Sequence, residues 1–380
     1  MREKLAATVL AYSAARVHVA GRSLSGEAPR APVDAATGVQ YHVLFSGSRL
    51  SLDRLRAQRR YWRLLHQLQP NLVVVHAPEL LPLTLLWQAL GTGRQFIYDI
   101  QENYALNIGT QGVYRGLLKR LLLAGLRQVE ALAARRAAAL LLAEASYADE
   151  LPFLSYLPPG RVLVLENKYQ PPLTNHRLTQ ARPGPVLGQP LRLLFTGTIS
   201  ELNGVREALA LTEALGPHWP GGAELTIIGF CQRPTLLAEM QSWVAAGRPV
   251  RLVGGAQPVP HSEVLAAIGR SHLGLVLYRP HPSTERCRPT KLFEYLAHGL
   301  PVLVPANPLW ASLVHQHEAG LVWVAGEDLA TLAARVAVAL GPAGTQFYPL
   351  GPPSEVLWAG EGKKFGHLLE TILPGFTFAP

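Results

Sequence analysis

The sequence is poor in cysteine, in charge and in long apolar runs. Only two cysteines, Cys231 and Cys287, occur among 380 residues. That is too few for a disulfide framework and fits a reduced, cytoplasmic chain. Charged residues make up 16%, which argues against a disordered or coiled-coil protein. No apolar stretch of about 18 residues is free of charge, so no membrane span is expected. The opening residues lack the unbroken apolar core and cleavage site of a signal peptide, so no cleaved leader is expected. No Asp-x-Asp occurs, and no His/Asp triplet has metal-ligand spacing. Neither a divalent metal nor another cofactor is therefore expected.

What the chain does have is 48% apolar residues and a net charge of +9. The length suits two domains of ordinary size. A basic balance points to nucleic acid, an anionic membrane surface or phosphorylated substrates. Lys/Arg blocks interleaved with aromatics are missing, as is zinc-type Cys/His spacing, so nucleic acid is not expected as a partner.

Short apolar runs read as buried parallel strands at 17–21, 41–45, 72–77, 96–100, 139–144 and 162–167. Segments of helical period alternate with them. In 54–69, residues Leu55, Tyr61, Leu64, Leu65 and Leu68 are expected on one apolar face. The Pro-rich stretch 171–190 reads as a linker. Alternation resumes with runs at 191–197, 224–230, 250–255, 273–278, 301–306 and 320–325. The expected fold is therefore α/β, with two doubly wound, Rossmann-like domains over 1–170 and 191–353. A last amphipathic helix at 354–373 is expected to return to the first domain. Residues 2–16 already read as a helix, where such a domain usually opens with a strand and a Gly-rich turn. Two alternatives follow for the first domain: its usual first strand is missing from this chain, or another strand fills the centre of its sheet.

Ligands of open α/β sheets bind beyond the carboxyl ends of the strands. One such end is "LLFTGTISELNG", where Gly197 admits close backbone approach and Thr198 and Ser200 offer hydroxyls. It lacks the GxxxxGK[ST] spacing of a P-loop. Another is "RPTKLFEYLAHGLPVLVP" (288–305). Arg288 and Lys291 stand at the positive end of a helix, where cations are disfavoured. Lys291 and Glu294 share one helix face. A surface Lys–Glu pair is worth only about 0.3–0.5 kcal/mol, too little to account for two cations there. A bound diphosphate accounts for them, with Glu294 accepting from two neighbouring ribose hydroxyls. In the first half, His76 and Glu79 follow one strand. Asp99, Gln101, Glu102 and Asn103 end or follow the next, and all are expected to line a cleft.

"FTGTIS…NG", "ELTIIG", "RPTKLFEYLAHGLPVL" and "HEAGLVW" resemble the GT-B glycosyltransferases, in particular the retaining group called family 4. "HAPELLPL" and "YDIQENY" resemble the acceptor-side motifs of that group. The resemblance spans about 40–370 and implies transfer from a nucleotide-diphosphate sugar to a glycan or lipid-linked hydroxyl acceptor, with retention. It implies that Glu294 binds ribose, that Lys291 and Arg288 face the pyrophosphate, and that Gly197 and Thr198 lie near the phosphates or sugar. His76, Asp99 and Glu102 would lie on the acceptor side. The sequence departs from the pattern in three places. Arg286 stands where relatives carry a Glu over the donor sugar, with Glu285 one residue out of register. Asn203-Gly204 replaces Lys-Gly, and Gln101 replaces a His. These departures keep two alternatives open, a non-catalytic nucleotide-sugar or glycan-binding relative and a nucleotide-sugar epimerase. The segment 114–138, with basic residues at 115, 119, 120 and 127 beside a Leu face, is expected either to touch an anionic membrane or to face the core.

Overall fold

The computed structural model describes residues 2–22, 38–46, 53–110, 116–158, 160–171, 184–342 and 344–378. Most of the 171–190 linker lies outside them. The chain divides into two compact units, residues 1–167 with 358–380, and residues 168–357.

The first unit runs α1 (Arg2–Tyr12), β1 (His18–Arg22), β2 (Gln40–Phe45), α2 (Asp53–Leu68), β3 (Leu72–Val75), α3 (Leu81–Ala89), β4 (Gln95–Ile100), α4 (Tyr104–Thr110), α5 (Gly116–Arg136), β5 (Ala139–Leu142), α6 (Tyr147–Glu150) and β6 (Val162–Val164). Among the described residues its strands form two parallel sheets, β1-β2 and β3-β4-β5-β6. The expected single doubly wound sheet is thus divided.

Strand side chains alternate between faces, and both faces of the four-stranded sheet are covered. Phe96, Tyr98 and Ile100 pack with Ala133 and Ala134 of α5 and with Ala137 just after it. Ile97, Ala139 and Leu141 face the other way, onto Leu5 of α1. The helix α2 bridges the two sheets, its Ala57, Tyr61 and Leu65 packing with Leu44 of β2 and Trp87 of α3. Leu55 does not share that face and is 69% exposed. It lies two residues before Ala57, about 200° around the helix, so the 3.6-residue period turns it to solvent.

The second unit runs β7 (Leu191–Ile199), α7 (Val205–Leu215), β8 (Ala223–Cys231), α8 (Pro234–Ala245), β9 (Val250–Gly255), α9 (His261–Arg270), β10 (Leu273–Leu275), α10 (Thr290–Ala297), β11 (Val302–Pro305), α11 (Pro308–Gln316), β12 (Gly320–Trp323) and α12 (Leu329–Leu340). Its six strands are parallel in the order β9-β8-β7-β10-β11-β12. The first strand is central and the order reverses beside it, as in a doubly wound sheet. Asn307 and Asp328 cap α11 and α12 by accepting from the amides that open each helix.

After Leu357 the chain returns to the first unit as α13 (Trp358–Ile372). Trp358, Phe365 and Leu369 join the cluster around Leu5, and the Trp358 Nε1–H donates to Thr8 Oγ1 at 2.9 Å. Phe365 is 1% exposed. Phe365→Ala is expected to cost about 3–5 kcal/mol, as for a fully buried aromatic. The loss should fall on the first unit alone. Urea unfolding followed by amide exchange should show its strands opening first, while β7–β12 keep their protection.

Candidate active site on two sheet edges

In the second unit the switch point lies between β7 and β10, whose residues Leu193 and Leu194 pair with Leu273 and Gly274. In doubly wound sheets ligands bind at such a point, beyond the carboxyl ends of the strands. β7 ends through Gly197, with φ of 91°, a backbone angle that side-chain-bearing residues rarely adopt. A Cβ on Gly197 would sit 3.8 Å from Lys291 Cε, so the strand backbone and the lysine stem lie side by side. The turn that follows is braced internally. Ser200 Oγ accepts from the Asn203 amide at 3.1 Å, and the Asn203 side chain donates to Thr198 O at 2.7 Å. Gly204 opens α7 at φ 83°, where a Cβ would come within 1.8 Å of Leu277 O. Asn203 therefore serves the turn, and Thr198 is left exposed.

The helix α10 begins after Pro289, whose extended backbone supplies the N-cap position. Arg288 thus precedes the N-cap and is half-buried, outside the first turn of the helix. Lys291 is buried, and its Nζ has no hydrogen-bond partner. It lies 4.3 Å from the Phe195 ring centroid and 5.2 Å from that of Tyr278, within cation–π range. Burial lowers its pKa to about 7, against a smaller opposing effect of Glu294. Tyr295, one turn further along α10, ties the helix to the central strand, its hydroxyl accepting from Thr196 N at 3.1 Å.

Glu294 shares the Lys291 side of the helix but pairs elsewhere, with Nε2 of His261 at the start of α9. Tyr169 stands nearby, 6.5 Å from His261 and 5.0 Å from His298 between ring centroids. Burial, with a smaller effect of Glu294, pushes the Tyr169 hydroxyl up to about 12. Glu285 is exposed in the loop before α10, its carbonyl accepting from Asn307 Nδ2 at 2.7 Å. The structure thus gathers Gly197, Lys291 and Glu294, with Thr198 at the end of the same strand. His261, Phe195 and Tyr278 gave no sequence signal. The first is an isolated histidine, and the aromatics read as strand core.

In the first unit, His76 directly follows β3 and Asp99 lies within β4. His76 Nδ1 is 2.7 Å from Asp99 Oδ2, at ion-pair distance but outside hydrogen-bond alignment. Asp99 is 1% exposed and accepts from Gln101 Nε2 through its other oxygen. The Tyr104 hydroxyl donates to His76 O at 3.1 Å. Glu79 pairs with Arg54, and Glu102 is exposed. His76, Glu79, Gln101 and Glu102 are among the residues lining a cavity of about 700 Å³. Among the described residues, no group of three His, Cys, Asp or Glu side chains is placed to hold a metal ion.

Residues 4–168 match the model of the glycosyl transferase 4-like domain. Solved structures match nearly the whole chain. Sucrose-phosphate synthase from Thermosynechococcus elongatus superposes with a TM-score of 0.62 at 14% identity, covering 97% of this chain and 89% of that one. WaaG, a glycosyltransferase of lipopolysaccharide biosynthesis, gives 0.55 at 17% identity over 97% and 91%. Anabaena Alr3699/HepE, solved with UDP and glucose, gives 0.59 at 11% identity over 93% and 99%. The fold is GT-B. No curated protein matches the sequence significantly. In this GT-B chain the matched domain model covers the first unit, whereas Lys291 and Glu294 lie in the second.

The buried lysine makes a stability prediction. Its folded pKa of about 7 lies below the ordinary lysine value of 10.5, so between these values the unfolded chain binds the extra proton. Stability then rises with pH across that window. Lys291→Met is expected to stabilise the chain on the order of 3 kcal/mol at pH 6–7. The gain should shrink toward pH 10. Urea unfolding of both chains at pH 6.5 and pH 9.5 checks the sign.

Proposed function

We propose that this chain transfers a sugar from a nucleotide-diphosphate sugar to a hydroxyl acceptor with retention at the anomeric carbon, without a divalent metal. The observation that carries the reading is the buried, unpartnered Lys291 ammonium at the switch point of the second sheet. A buried cation needs a counter-charge, and the amides opening α10 favour an anion at the same place. A diphosphate supplies one. Glu294, one helical turn on, takes the ribose hydroxyls once its carboxylate is released by His261. Gly197 and Thr198 border the phosphates and sugar, Ser200 keeps their turn in shape, and Arg288 and Glu285 approach from the preceding loop. That Alr3699/HepE was solved with UDP-glucose supports the donor class.

Diphosphate charge grows as the bond from the anomeric carbon to its phosphate oxygen breaks. Fixed donors facing that charge are the main source of rate. The acceptor oxygen bonds to the same carbon from the same face, and its proton passes to the departing phosphate. His76, Asp99 and Glu102 are assigned to the acceptor side, with Asp99 orienting the His76 ring. Glu294→Ala is expected to weaken UDP, GDP or ADP binding at least tenfold by calorimetry. Lys291→Ala should lower turnover more than tenfold, about 1.4 kcal/mol of transition-state stabilisation. Nucleotide-sugar binding with neither transfer nor donor hydrolysis would leave a binding protein on this fold.

The acceptor is assigned to cell-surface polysaccharide or glycolipid synthesis, in the cytoplasm and against the inner leaflet. The described part of α5 supports the membrane assignment. Ala133 and Ala134 at its end face the core, whereas Leu117, Leu121 and Leu122 at its start are 71%, 61% and 40% exposed. Arg120 and Arg127 are exposed beside them. No helix of the described residues is long and apolar enough to cross a membrane, and such a mixed face suits lying on an anionic surface. Flotation with vesicles of 30% phosphatidylserine should carry the chain up at low salt. Leu117→Ser/Leu121→Ser should abolish this without lowering nucleotide binding.

A further inference from the structure

A second cavity of the carboxyl-side unit, of about 760 Å³, lies along the amino-terminal parts of β7, β8 and β9. Lys291 stands at the other end of the sheet, beside Gly197 near the carboxyl end of β7. The packing of α9 makes this space. Leu193, Leu225 and Ile227 point to the α7 side of the sheet. Leu194 and Ile228 point the other way, onto Ala267 and Ile268 of α9. Side chains alternate along a strand, so Arg192, Glu224, Thr226, Arg251 and Val253 share the α9 side. The helix meets the cavity with the small side chains of Ala266 and Ala267, which leave it unfilled. Arg270, the last residue of α9, lies at the amino end of β7, its carbonyl accepting from Arg192 Nε at 2.5 Å.

Four arginines line the cavity, and two of them are accounted for. Arg192 is the register partner of Glu224 on the next strand, so these charges offset one another. Arg248 is held by Glu213 through hydrogen bonds of 2.6 and 2.7 Å. Arg251 and Arg270 remain. Among the described residues, neither guanidinium has a hydrogen-bond or ion-pair partner. Glu263 lines the cavity too, but it lies two helical turns before Arg270, about 10 Å away along α9. Thr226, in register with Arg251, adds a hydroxyl beside the two cations. Further along the same strands Ile228 pairs in register with Val253, and Ala267 faces them from the helix. The cavity therefore has a cationic end and an apolar middle.

We infer that this cavity binds a phosphate monoester with an apolar body, the phosphate between Arg251 and Arg270 and the body along Ile228, Val253 and Ala267. Two unpaired guanidiniums match a dianion. A phosphate monoester is close to one at pH 7, whereas a carboxylate carries a single charge. The planar guanidinium also meets phosphate oxygens in pairs. The volume lies within the range of small-molecule sites, roughly 300–1,000 Å³. The site is independent of the nucleotide-sugar reading, because it shares no residue with the Lys291 end of the sheet.

Calorimetric titration of the full chain with monomeric octyl phosphate at pH 7.5 tests this. One molecule should bind per chain, at least tenfold more tightly than either octanol or inorganic phosphate. Arg251→Gln/Arg270→Gln should weaken octyl phosphate at least tenfold. Ala266→Phe, which fills the cavity from an exposed helix position, should do the same. Both changes fall on exposed side chains, and an unchanged urea midpoint confirms that each variant is folded. No binding of octyl phosphate overturns the site, as does unaltered affinity in either folded variant. Equal affinity for octanol overturns the role of the two arginines, and equal affinity for inorganic phosphate overturns that of the apolar middle.

Discussion

Burial strips Lys291 of water, and Glu294 does not replace it, because that carboxylate is engaged by His261. The ammonium is left between the faces of Phe195 and Tyr278. Cation–π contact offsets only part of a desolvation cost of several kcal/mol. The remaining cost is borne by the fold, through Tyr295, which locks α10 to the central strand, and through the apolar packing on both sides of the sheet. A site held against its own stability in this way is the arrangement expected where charge must be met at the moment of binding.

The same parallel architecture explains both units. In a parallel sheet the carboxyl ends of all strands open on one side, and the order reversal leaves a crevice that no crossover covers. In the second unit Lys291 lies beside β7, at the switch point between β7 and β10. In the first the described strands form two sheets, β1-β2 and β3-β4-β5-β6. His76 follows β3, and Asp99 lies near the carboxyl end of the neighbouring β4. The polar groups of each unit thus gather at the carboxyl ends of its parallel strands.

Much of this was legible in the chain. Apolar runs bounded by Gly and Pro located the strands within a few residues, because parallel strands buried on both faces must be continuously apolar. The Lys291–Glu294 spacing put both residues on one side of a short helix. Other readings failed for physical reasons. Leu55 lies off the buried face of α2, since a leucine at a helix start need not share its stripe. Arg288 stands before the helix because Pro289 takes the N-cap position. Nor did the local pattern show that Glu294 pairs with a histidine 33 residues away.

The sequence by itself determined the alternation of strand and helix, the doubly wound class and the placing of Lys291 and Glu294 on one side of a helix. These follow from short-range periodicity and side-chain chemistry. Only the tertiary structure decided which partners those residues have. It gave Glu294 to His261, left Lys291 to two aromatic faces, and parted the first sheet between β1 and β3. Burial, electrostatic pairing and strand adjacency are set by elements far apart in the chain, and no local pattern encodes them.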